Sequence, residues 1–489
     1  MRNERLHQIL QSNYFAPLCF LIAAFLRFAW VIINNPYPAI DEYVYFQTGI
    51  NIANGLGYVH EGVPTTIFPV GYPAFLGLIF SLFGVSVQVA KIANVLLSLG
   101  TLYFFYRITQ RLFSALIVAR IALFLLSIFP DQIFYNALLM TEPLFLFLLM
   151  LGIFLAASSD FIKFRHIFAT SIIFALCCYV KSQIFFIPAL CLFWRVIIKQ
   201  CTKRTAFKQL IIMYSIIFAM TLPWTVRNFQ LNKPAFISGN GPANLVIGNN
   251  PTATGTFYLL DNKIWQSIGR SSKVKYVLRW VSAYPQDYLV LLLKKMYFLY
   301  LIPEADPLID LERCTLPQSF SIQEADAIVK NIKERIGAEA CIPMGFDNCN
   351  ELFLQSIIWN EQTRKYSIDP ELNDQQKSYF IQLLVFSSNV EHKVKVNSFW
   401  HLIWLCSRYA VLVLFVLYIF MIFSSKIIKT KSPSPPGTSV LAMLIVFYFT
   451  CIYLVFFGSA RFSFPIFPFM IMYVAFLLGN SVGTKESDQ

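Results

Sequence analysis

Long apolar runs recur along the chain and alternate with short polar segments. Seven of these runs approach the length of about 20 residues that a membrane-spanning helix needs, and they lie at 14–33, 87–106, 112–130, 143–159, 400–424, 437–458 and 462–480. Three more runs are shorter or interrupted, at 166–180, 183–199 and 208–225. The pattern predicts an all-α polytopic membrane protein with a bundle of about 10–12 transmembrane helices.

The positively charged residues lie mainly in every second loop between these runs. Cytoplasmic loops of membrane proteins carry the excess of Lys and Arg. Here the basic loops hold Arg2 and Arg5, Arg107 and Arg111, Lys163 and Arg165, Lys199 to Lys208, and Lys426 to Lys431. If all of these loops are cytoplasmic, both termini are cytoplasmic as well.

Two long segments are then predicted on the extracytoplasmic side. The first outer loop is 34–86, and its apolar part at 69–84 is too short for a span, so we expect a half-helix at the membrane interface. The second segment is 226–399, in which 284–302 is typical of an interfacial helix and 303–395 is polar and helix-compatible. We predict three regions: a transmembrane catalytic region at 1–300, an extracytoplasmic accessory subdomain at 303–395, and C-terminal transmembrane helices with a cytoplasmic tail at 400–489.

The composition excludes a water-soluble enzyme. Of the 489 residues, 57% are apolar and only 13% are charged, and the mean hydropathy is +0.59. Soluble domains contain about 25% charged residues. The net charge of +13 does not indicate nucleic-acid binding, because the Lys and Arg residues lie mainly in short loops and form no basic stripe interleaved with stacking aromatic residues.

Three of the ten cysteines, Cys314, Cys341 and Cys349, lie in the polar segment 303–395. On the extracytoplasmic side a disulfide between Cys341 and Cys349 is an alternative to three free thiols. The chain contains no C-x-x-C pair, so we expect no zinc site.

Acidic residues mark the outer ends of two apolar runs. Asp41 and Glu42 follow the first run, at the start of a helix predicted over 42–54, and Glu142 follows Thr141 at the start of another run. A carboxylate within hydrogen-bond reach of an acceptor hydroxyl contributes roughly 10²–10⁴-fold to a reaction as a general base. The alternative in each case is a helix start, since these residue types are favourable in N-caps and first turns.

Cationic side chains at the same ends are candidates for binding a phosphate group. Arg binds phosphate in a bidentate manner and Lys as a point charge. The candidates are Lys181, Arg227, Lys294, Lys295 and Arg461. For most of them snorkelling at the interface is the alternative, but Lys181 and Arg461 have strongly apolar flanks.

The order of these features resembles the GT-C superfamily of glycosyltransferases, and more closely the bacterial relatives of protein O-mannosyltransferases and lipid A aminoarabinose transferases. The resemblance covers about residues 10–300 and 400–480. The matching motifs are Asp41-Glu42, Gly55-Leu56-Gly57-Tyr58, Phe68-Pro69-Val70-Gly71-Tyr72-Pro73, Thr141-Glu142-Pro143, Pro223-Trp224-Thr225-Val226-Arg227-Asn228, Gly248-Asn249-Asn250-Pro251 running to Gly255, Tyr284-Pro285 to Lys295, and Arg461-Phe462-Ser463-Phe464-Pro465. Several family members carry a Lys before the paired prolines of the first loop, where this chain reads Ile67-Phe68-Pro69.

The resemblance implies a GT-C-like bundle with its active site at the outer membrane interface and a polyprenyl-phosphate sugar as donor. It also implies an inverting reaction, with the family's catalytic Asp corresponding to Asp41 and with Glu42 and Glu142 as supporting acidic groups. No cofactor is expected, although the requirement for a divalent metal stays open. In the substrate loop we expect roles for Tyr45, His60 and Tyr72.

We therefore expect an inverting glycosyltransferase of the bacterial inner membrane, which moves a hexosyl or pentosyl group to an acceptor hydroxyl. The acceptor is a lipid, a glycan or a protein, and membrane lipids are further partners. The alternatives are a transporter or flippase of lipid-linked sugars and an assembly protein without catalysis. A transporter more often binds its substrate near the bilayer midplane, between repeated halves, whereas the acidic candidates here lie at the ends of runs.

Overall fold

The computed structural model describes residues 2–34, 38, 41–60, 62–231, 235–257, 260, 264–265, 268, 272–301, 357–360, 365–368, 398–428 and 435–483. Helices make up most of this part of the chain, which confirms the prediction of an all-α protein. The helices are α1 Arg2–Gln11, α2 Phe15–Ile33, α3 Asp41–Ala53, α4 Gly71–Phe83, α5 Val87–Phe113, α6 Leu116–Ser127, α7 Pro130–Phe134, α8 Glu142–Ala156, α9 Phe164–Val180, α10 Ile187–Ile197, α11 Lys203–Gln230, α12 Gly241–Ile247, α13 Lys273–Ala283, α14 Pro285–Tyr300, α15 Ser398–Ile428, α16 Val440–Val455 and α17 Phe467–Gly483.

Short 3-10 turns and two strand pairs lie between these helices. The 3-10 turns are Tyr135–Ala137, Ser159–Ile162, Ser182–Phe186, Gly437–Ser439 and Ala460–Ser463. The strand pairs are antiparallel, and they join β1 Val59–His60 to β2 Val63–Pro64 and β3 Ile357–Asn360 to β4 Lys365–Ile368. Local sequence explains many helix starts, since Pro occupies the first turn of α7, α8, α10, α12 and α14, where its missing N–H leaves no intrahelical bond unmade.

The described residues contain enough apolar helices for a polytopic membrane protein. Five are long and apolar enough to cross a membrane: Phe15–Ile33, Val87–Phe113, Lys203–Gln230, Phe399–Ile422 and Gly437–Val455. The helix pair Leu116–Ser127 and Pro130–Ala137 has the length and composition of a sixth span or of a re-entrant loop, and it is bent by 57° at a proline that cannot donate to the helix ladder. The shorter apolar helices are Gly71–Phe83, Glu142–Ala156, Phe164–Val180, Ser182–Ile197 and Phe467–Asn480.

Each of the ten predicted apolar runs is therefore helical, and the chain is an integral membrane protein. The half-helix expected at 69–84 is α4, and the interfacial helix expected at 284–302 is α14. The cytoplasmic position of the termini stays a prediction, as does the division into three regions.

Close glycine contacts fix the position of α3, the helix that begins at Asp41. A Cβ on Gly49 would lie 2.8 Å from the Leu76 side chain, and one on Gly77 would lie 2.6 Å from Ile52, so α3 and α4 pack almost backbone to backbone. Small residues at such crossings allow this approach. At the start of α4, a Cβ on Gly71 would lie 2.6 Å from the backbone at the end of α9. The α3–α4 pair is thereby docked against the transmembrane helices.

The described residues of the polar segment 303–395 differ in element type from expectation. The composition is helix-compatible, but the described residues of this segment form the β3–β4 hairpin, with Ile357 opposite Ile368 and Asn360 opposite Lys365. Isoleucine and aromatic residues favour strands, and they dominate both short stretches. Cys314, Cys341 and Cys349 lie outside the described residues, so their pairing stays open.

Candidate active site at the Asp41 end of the bundle

Arg461 connects two acidic residues that are distant in sequence. It lies in the 3-10 turn Ala460–Ser463 between α16 and α17. Its Nε donates to Glu142 Oε1 at 2.6 Å, and its Nη1 donates to Asp41 Oδ2 at 3.1 Å. The first residues of α3 and α8 are thus held by one guanidinium group. We name this part of the molecule, where α2 and α9 end and α3 and α8 begin, the Asp41 end.

Glu142 is the buried counter-ion of two cations. Besides Arg461, it binds Lys181, whose Nζ lies 2.9 Å from Glu142 Oε1. The Thr141 hydroxyl donates to the other carboxylate oxygen at 3.2 Å. The Glu142 side chain is 0% exposed and that of Lys181 is 10% exposed. A carboxylate in this position is stable only in its charged and paired form, because an unpaired buried charge is very costly.

Asp41 occupies the more open side of the same cluster. Its side chain is 32% exposed, compared with 16% for Arg461 and 0% for Glu142. The α3 helix directs Asp41 and Glu42 differently, because adjacent residues of a helix point in different directions. The structure therefore distinguishes an accessible carboxylate from a buried one within the same network.

Glu42 links α3 to the chain segment before α8. Its Oε2 accepts a hydrogen bond from the Leu139 backbone N–H at 2.8 Å. Through this bond the start of α3 is fixed to the segment that leads to Glu142. Asp41 and Glu42, although adjacent, thus serve different contacts.

Charge explains the state of Arg461. Burial lowers its pKa, but the carboxylates of Glu142 and Asp41 raise it by more, so that the net pKa is well above its usual value. Arg461 consequently stays a cation at any pH at which the protein is folded, and a permanent positive charge lies beside Asp41.

Aromatic residues form a wall next to Asp41. Tyr45 follows one turn later on α3, and its ring meets Phe68 at 5.5 Å and Tyr72 at 5.7 Å, both edge to face. The Tyr72 hydroxyl donates to Asn94 Oδ1 at 3.3 Å. Burial and the nearby Asp41 charge raise the pKa of Tyr45, so it remains a neutral hydroxyl. Two of the three expected substrate-loop residues, Tyr45 and Tyr72, therefore contact each other.

Arg227 fastens the first outer loop to α11. Its Nη1 donates to the Thr65 carbonyl at 3.0 Å and its Nη2 to the Tyr58 carbonyl at 3.1 Å. The guanidinium also lies 4.4 Å from the ring centre of Trp224. His60 lies in the β1–β2 hairpin that this contact supports, opposite Val63.

Lys295 and Lys294 face different environments on α14. Lys295 is buried, and its Nζ donates to Asn249 Oδ1 at 2.7 Å and to the Leu454 carbonyl at 2.9 Å. Burial lowers its pKa to about 7. It joins α14 and the 248–255 loop to the end of α16. Lys294 is exposed.

The sequence interpretation missed a second buried ion pair, between Asp131 and Arg408. Arg408 Nη1 lies 2.8 Å from Asp131 Oδ2, and the Trp404 indole N–H donates to the other Asp131 oxygen. Arg408 Nη2 donates to Ser463 Oγ at 2.5 Å, in the turn that carries Arg461. A signal was present, because Arg408 is an ionisable residue inside an apolar run, and such residues are functional candidates.

In the part of the chain that the structure describes, no group of three or more His, Cys, Asp or Glu side chains lies close enough together to hold a metal ion. The carboxylates of the Asp41 end are instead neutralised by Arg461 and Lys181.

Comparison with known proteins gives matches among solved structures alone, since no protein-family model and no curated protein matches the sequence. The fold is similar to that of ArnT from Cupriavidus metallidurans bound to undecaprenyl phosphate, with 12% identity and a TM-score of 0.40, covering 96% of this chain and 78% of that one. The apo state of the same protein gives 12% identity and a TM-score of 0.37, with 96% and 76% covered.

A second similar structure is the Archaeoglobus fulgidus oligosaccharyltransferase tethered to an acceptor peptide that contains the NVT sequon. It has 13% identity and a TM-score of 0.36, and the match covers 93% of this chain and 55% of that one. This chain thus spans just over half the length of that protein.

Proposed function

We propose that this chain is an inverting glycosyltransferase that moves a sugar from a polyprenyl-phosphate donor to an acceptor hydroxyl at the extracytoplasmic face of a bacterial inner membrane. One observation carries the proposal: an accessible carboxylate, Asp41, binds Arg461, and Arg461 shares the buried Glu142 carboxylate with a second cation, Lys181. The motif resemblance to the GT-C superfamily supplies the donor class.

Asp41 is the general base in this proposal. It takes the proton of the acceptor hydroxyl as that oxygen attacks the anomeric carbon. The bond between the anomeric carbon and the phosphate oxygen then breaks, and polyprenyl phosphate leaves. Glu142 is 0% exposed and Glu42 accepts the Leu139 backbone N–H, so in this proposal Asp41 alone acts on the substrate. A single displacement then inverts the anomeric centre.

Arg461 and Lys181 supply the positive charge that the leaving phosphate needs. Negative charge persists on the phosphate after bond cleavage, so fixed cations stabilise the transition state and the product. Glu142 orients both cations, through contacts of 2.6 Å and 2.9 Å. Since Arg461 also binds Asp41, it fixes the distance between the base and the phosphate.

The other cations have supporting parts in this proposal. Arg227 donates to the carbonyls of Thr65 and Tyr58, so it shapes the first outer loop around the donor. Lys295 similarly fixes the 248–255 loop. Lys294 is exposed on α14 and meets the lipid headgroups or the donor phosphate at the interface.

The test is incubation of the purified protein with a panel of polyprenyl-phosphate sugars and of lipid, glycan and peptide acceptors. Mass spectrometry measures the released polyprenyl phosphate, and NMR measures the anomeric configuration of the product. We expect one donor to be consumed with inversion. Binding of donors without product from any combination would contradict the proposal and favour a transporter of lipid-linked sugars.

The matched variants are Asp41→Asn and Asp160→Asn. Asp160 is an exposed carboxylate that pairs with Lys163 at 2.7 Å, and solvent screens such surface pairs. Asp41→Asn should slow transfer roughly 10²–10⁴-fold, whereas Asp160→Asn should transfer like the wild type. Equal activity of the two variants would remove Asp41 from the mechanism.

A further inference from the structure

The Asp131–Arg408 pair is buried directly behind the turn that carries Arg461. The two side chains are 1% and 3% exposed. Arg408 also packs against the rings of Phe467, at 4.5 Å, and Trp404, at 5.3 Å. Asp131 follows the break between α6 and α7, and Arg408 belongs to α15, so the pair joins elements that are 277 residues apart.

The guanidinium of Arg408 has two sides, and each contacts a different group. Nη1 donates to Asp131 Oδ2 at 2.8 Å, whereas Nη2 donates to Ser463 Oγ at 2.5 Å and approaches the Ala460 carbonyl at 3.4 Å. The Ser463 hydroxyl in turn donates to the Ala460 carbonyl at 2.6 Å. Arg408 thus binds both ends of the turn Ala460–Ser463, and Arg461 lies between those ends.

A buried ion pair is a poor way to join two helices, since apolar residues of similar volume often join them at least as well. The planar Arg408 guanidinium instead fixes orientation, because one of its nitrogens donates to Asp131 and the other to the turn. Arg27 shows the contrast, because it is equally buried but donates to Ser98 Oγ and to the backbone carbonyls of Ala23 and Ser127. Arg27 ties helices together, whereas Arg408 holds a turn that bears a site residue.

We propose that Asp131 and Arg408 are positioning residues, which orient the turn Ala460–Ser463 so that Arg461 reaches Asp41 and Glu142 at once. Trp404 orients the Asp131 carboxylate from the other side. In its catalytic consequence this inference rests on the proposed glycosyl transfer, but the orientation of Arg461 is a separate and measurable property.

The test is the paired variant Asp131→Leu/Arg408→Met. It removes both charges together, so that no unpaired charge remains buried and the protein can fold. We expect a melting temperature close to that of the wild type and a kcat roughly 10-fold to 100-fold lower, since a shift of about 1 Å in a site group has effects of this size. Wild-type kcat in this stable variant would overturn the inference, as would a loss of melting temperature without a loss of kcat per folded molecule.

Two further variants complete the kinetic test. Ser463→Ala removes the Arg408 contact and leaves the ion pair, so kcat should fall in the same direction. Arg195→Met is the control, because Arg195 is similarly buried and donates to the carbonyls of Ala156 and Ser158, far from Arg461 along the helices. It should leave kcat unchanged.

A second measurement separates failure of this inference from failure of the proposed function, because it needs no enzymatic activity. Arg461→Met is made in the wild type and in the Asp131→Leu/Arg408→Met background, and the two shifts in melting temperature are compared. If the pair orients Arg461, the substitution lowers the melting temperature of the wild type and has clearly less effect in the second background. Equal shifts would overturn the inference even for a protein that transfers no sugar.

Discussion

Replacing Glu142 by Gln tests the division between the buried and the accessible carboxylate. Glu142 is 0% exposed and has cation contacts of 2.6 Å and 2.9 Å. Gln retains the volume and one oxygen acceptor, but it removes the charge that both Arg461 and Lys181 face. Removing one partner of a buried pair costs about 3–5 kcal/mol, so we expect a loss of free energy of unfolding of that size.

Asp41→Asn provides the contrast. Its contact with Arg461 is longer, at 3.1 Å, and its side chain is 32% exposed. Solvent screens such a pair, so the expected cost is about 1 kcal/mol or less. Arg461 also keeps its shorter contact with Glu142 in this variant.

The assay is unfolding of the purified proteins in one mild detergent, followed by intrinsic fluorescence, with Asp160→Asn as the exposed control. The reasoning predicts a large loss for Glu142→Gln and nearly equal, small losses for the two Asp variants. A loss below 1 kcal/mol for Glu142→Gln, or an equal loss for Asp41→Asn, would refute the assignment of Glu142 as the structural counter-ion.

Two other predictions concern the basic residues that hold the loops. Arg227→Met should lower the free energy of unfolding by about 1.5–3 kcal/mol, because charge-assisted bonds to two carbonyls are lost. It should also raise KM for the donor and alter the proteolysis pattern at β1–β2. A KM and a proteolysis pattern like those of the wild type would contradict this prediction. The pKa of Lys295 is about 7 in the folded protein and about 10.4 in the unfolded protein. Between about pH 7 and about pH 10.4 the unfolded state therefore binds more protons than the folded state, so the free energy of unfolding rises with pH in this range. The slope from this group is at most about 1.4 kcal/mol per pH unit, and unfolding measured from pH 7 to 10 should show it in the wild type and not in Lys295→Met. If the free energy of unfolding changed with pH equally in the wild type and in Lys295→Met, the prediction for Lys295 would be wrong.

The sequence was sufficient to locate the apolar helices, because apolar runs of the right length have few alternatives in a membrane. Each predicted run became a helix, and the helix expected from residue 42 begins at Asp41. The hairpin at 357–368 was not anticipated, because its two strands are only four residues long and lie in a segment of helix-compatible composition.

The pairing of site residues was beyond the sequence. Asp41 and Arg461 are 420 residues apart, and no local pattern records which cation faces which carboxylate. The structure brings Asp41, Glu142, Lys181 and Arg461 into one network of ion pairs, and their roles in catalysis stay a prediction. The part played by each depends on burial, which is set by tertiary packing.

The pairing of Asp131 with Arg408 also depends on tertiary packing. Both residues were visible in the sequence at or inside apolar runs, where a charge demands a partner. The partner of each became evident only when α7 and α15 were placed side by side. Arg227 and Lys295 were expected to bind phosphate, and in the structure they donate to protein carbonyl and amide oxygens; their contact with a donor stays a proposal.

The most direct measurement is the kcat of Asp41→Asn with the donor that the wild type consumes. The account predicts a decrease of roughly 10²–10⁴-fold, the usual contribution of a general base, at an almost unchanged melting temperature. Transfer by a folded Asp41→Asn protein at a rate near that of the wild type would show that the accessible carboxylate does not accept the proton.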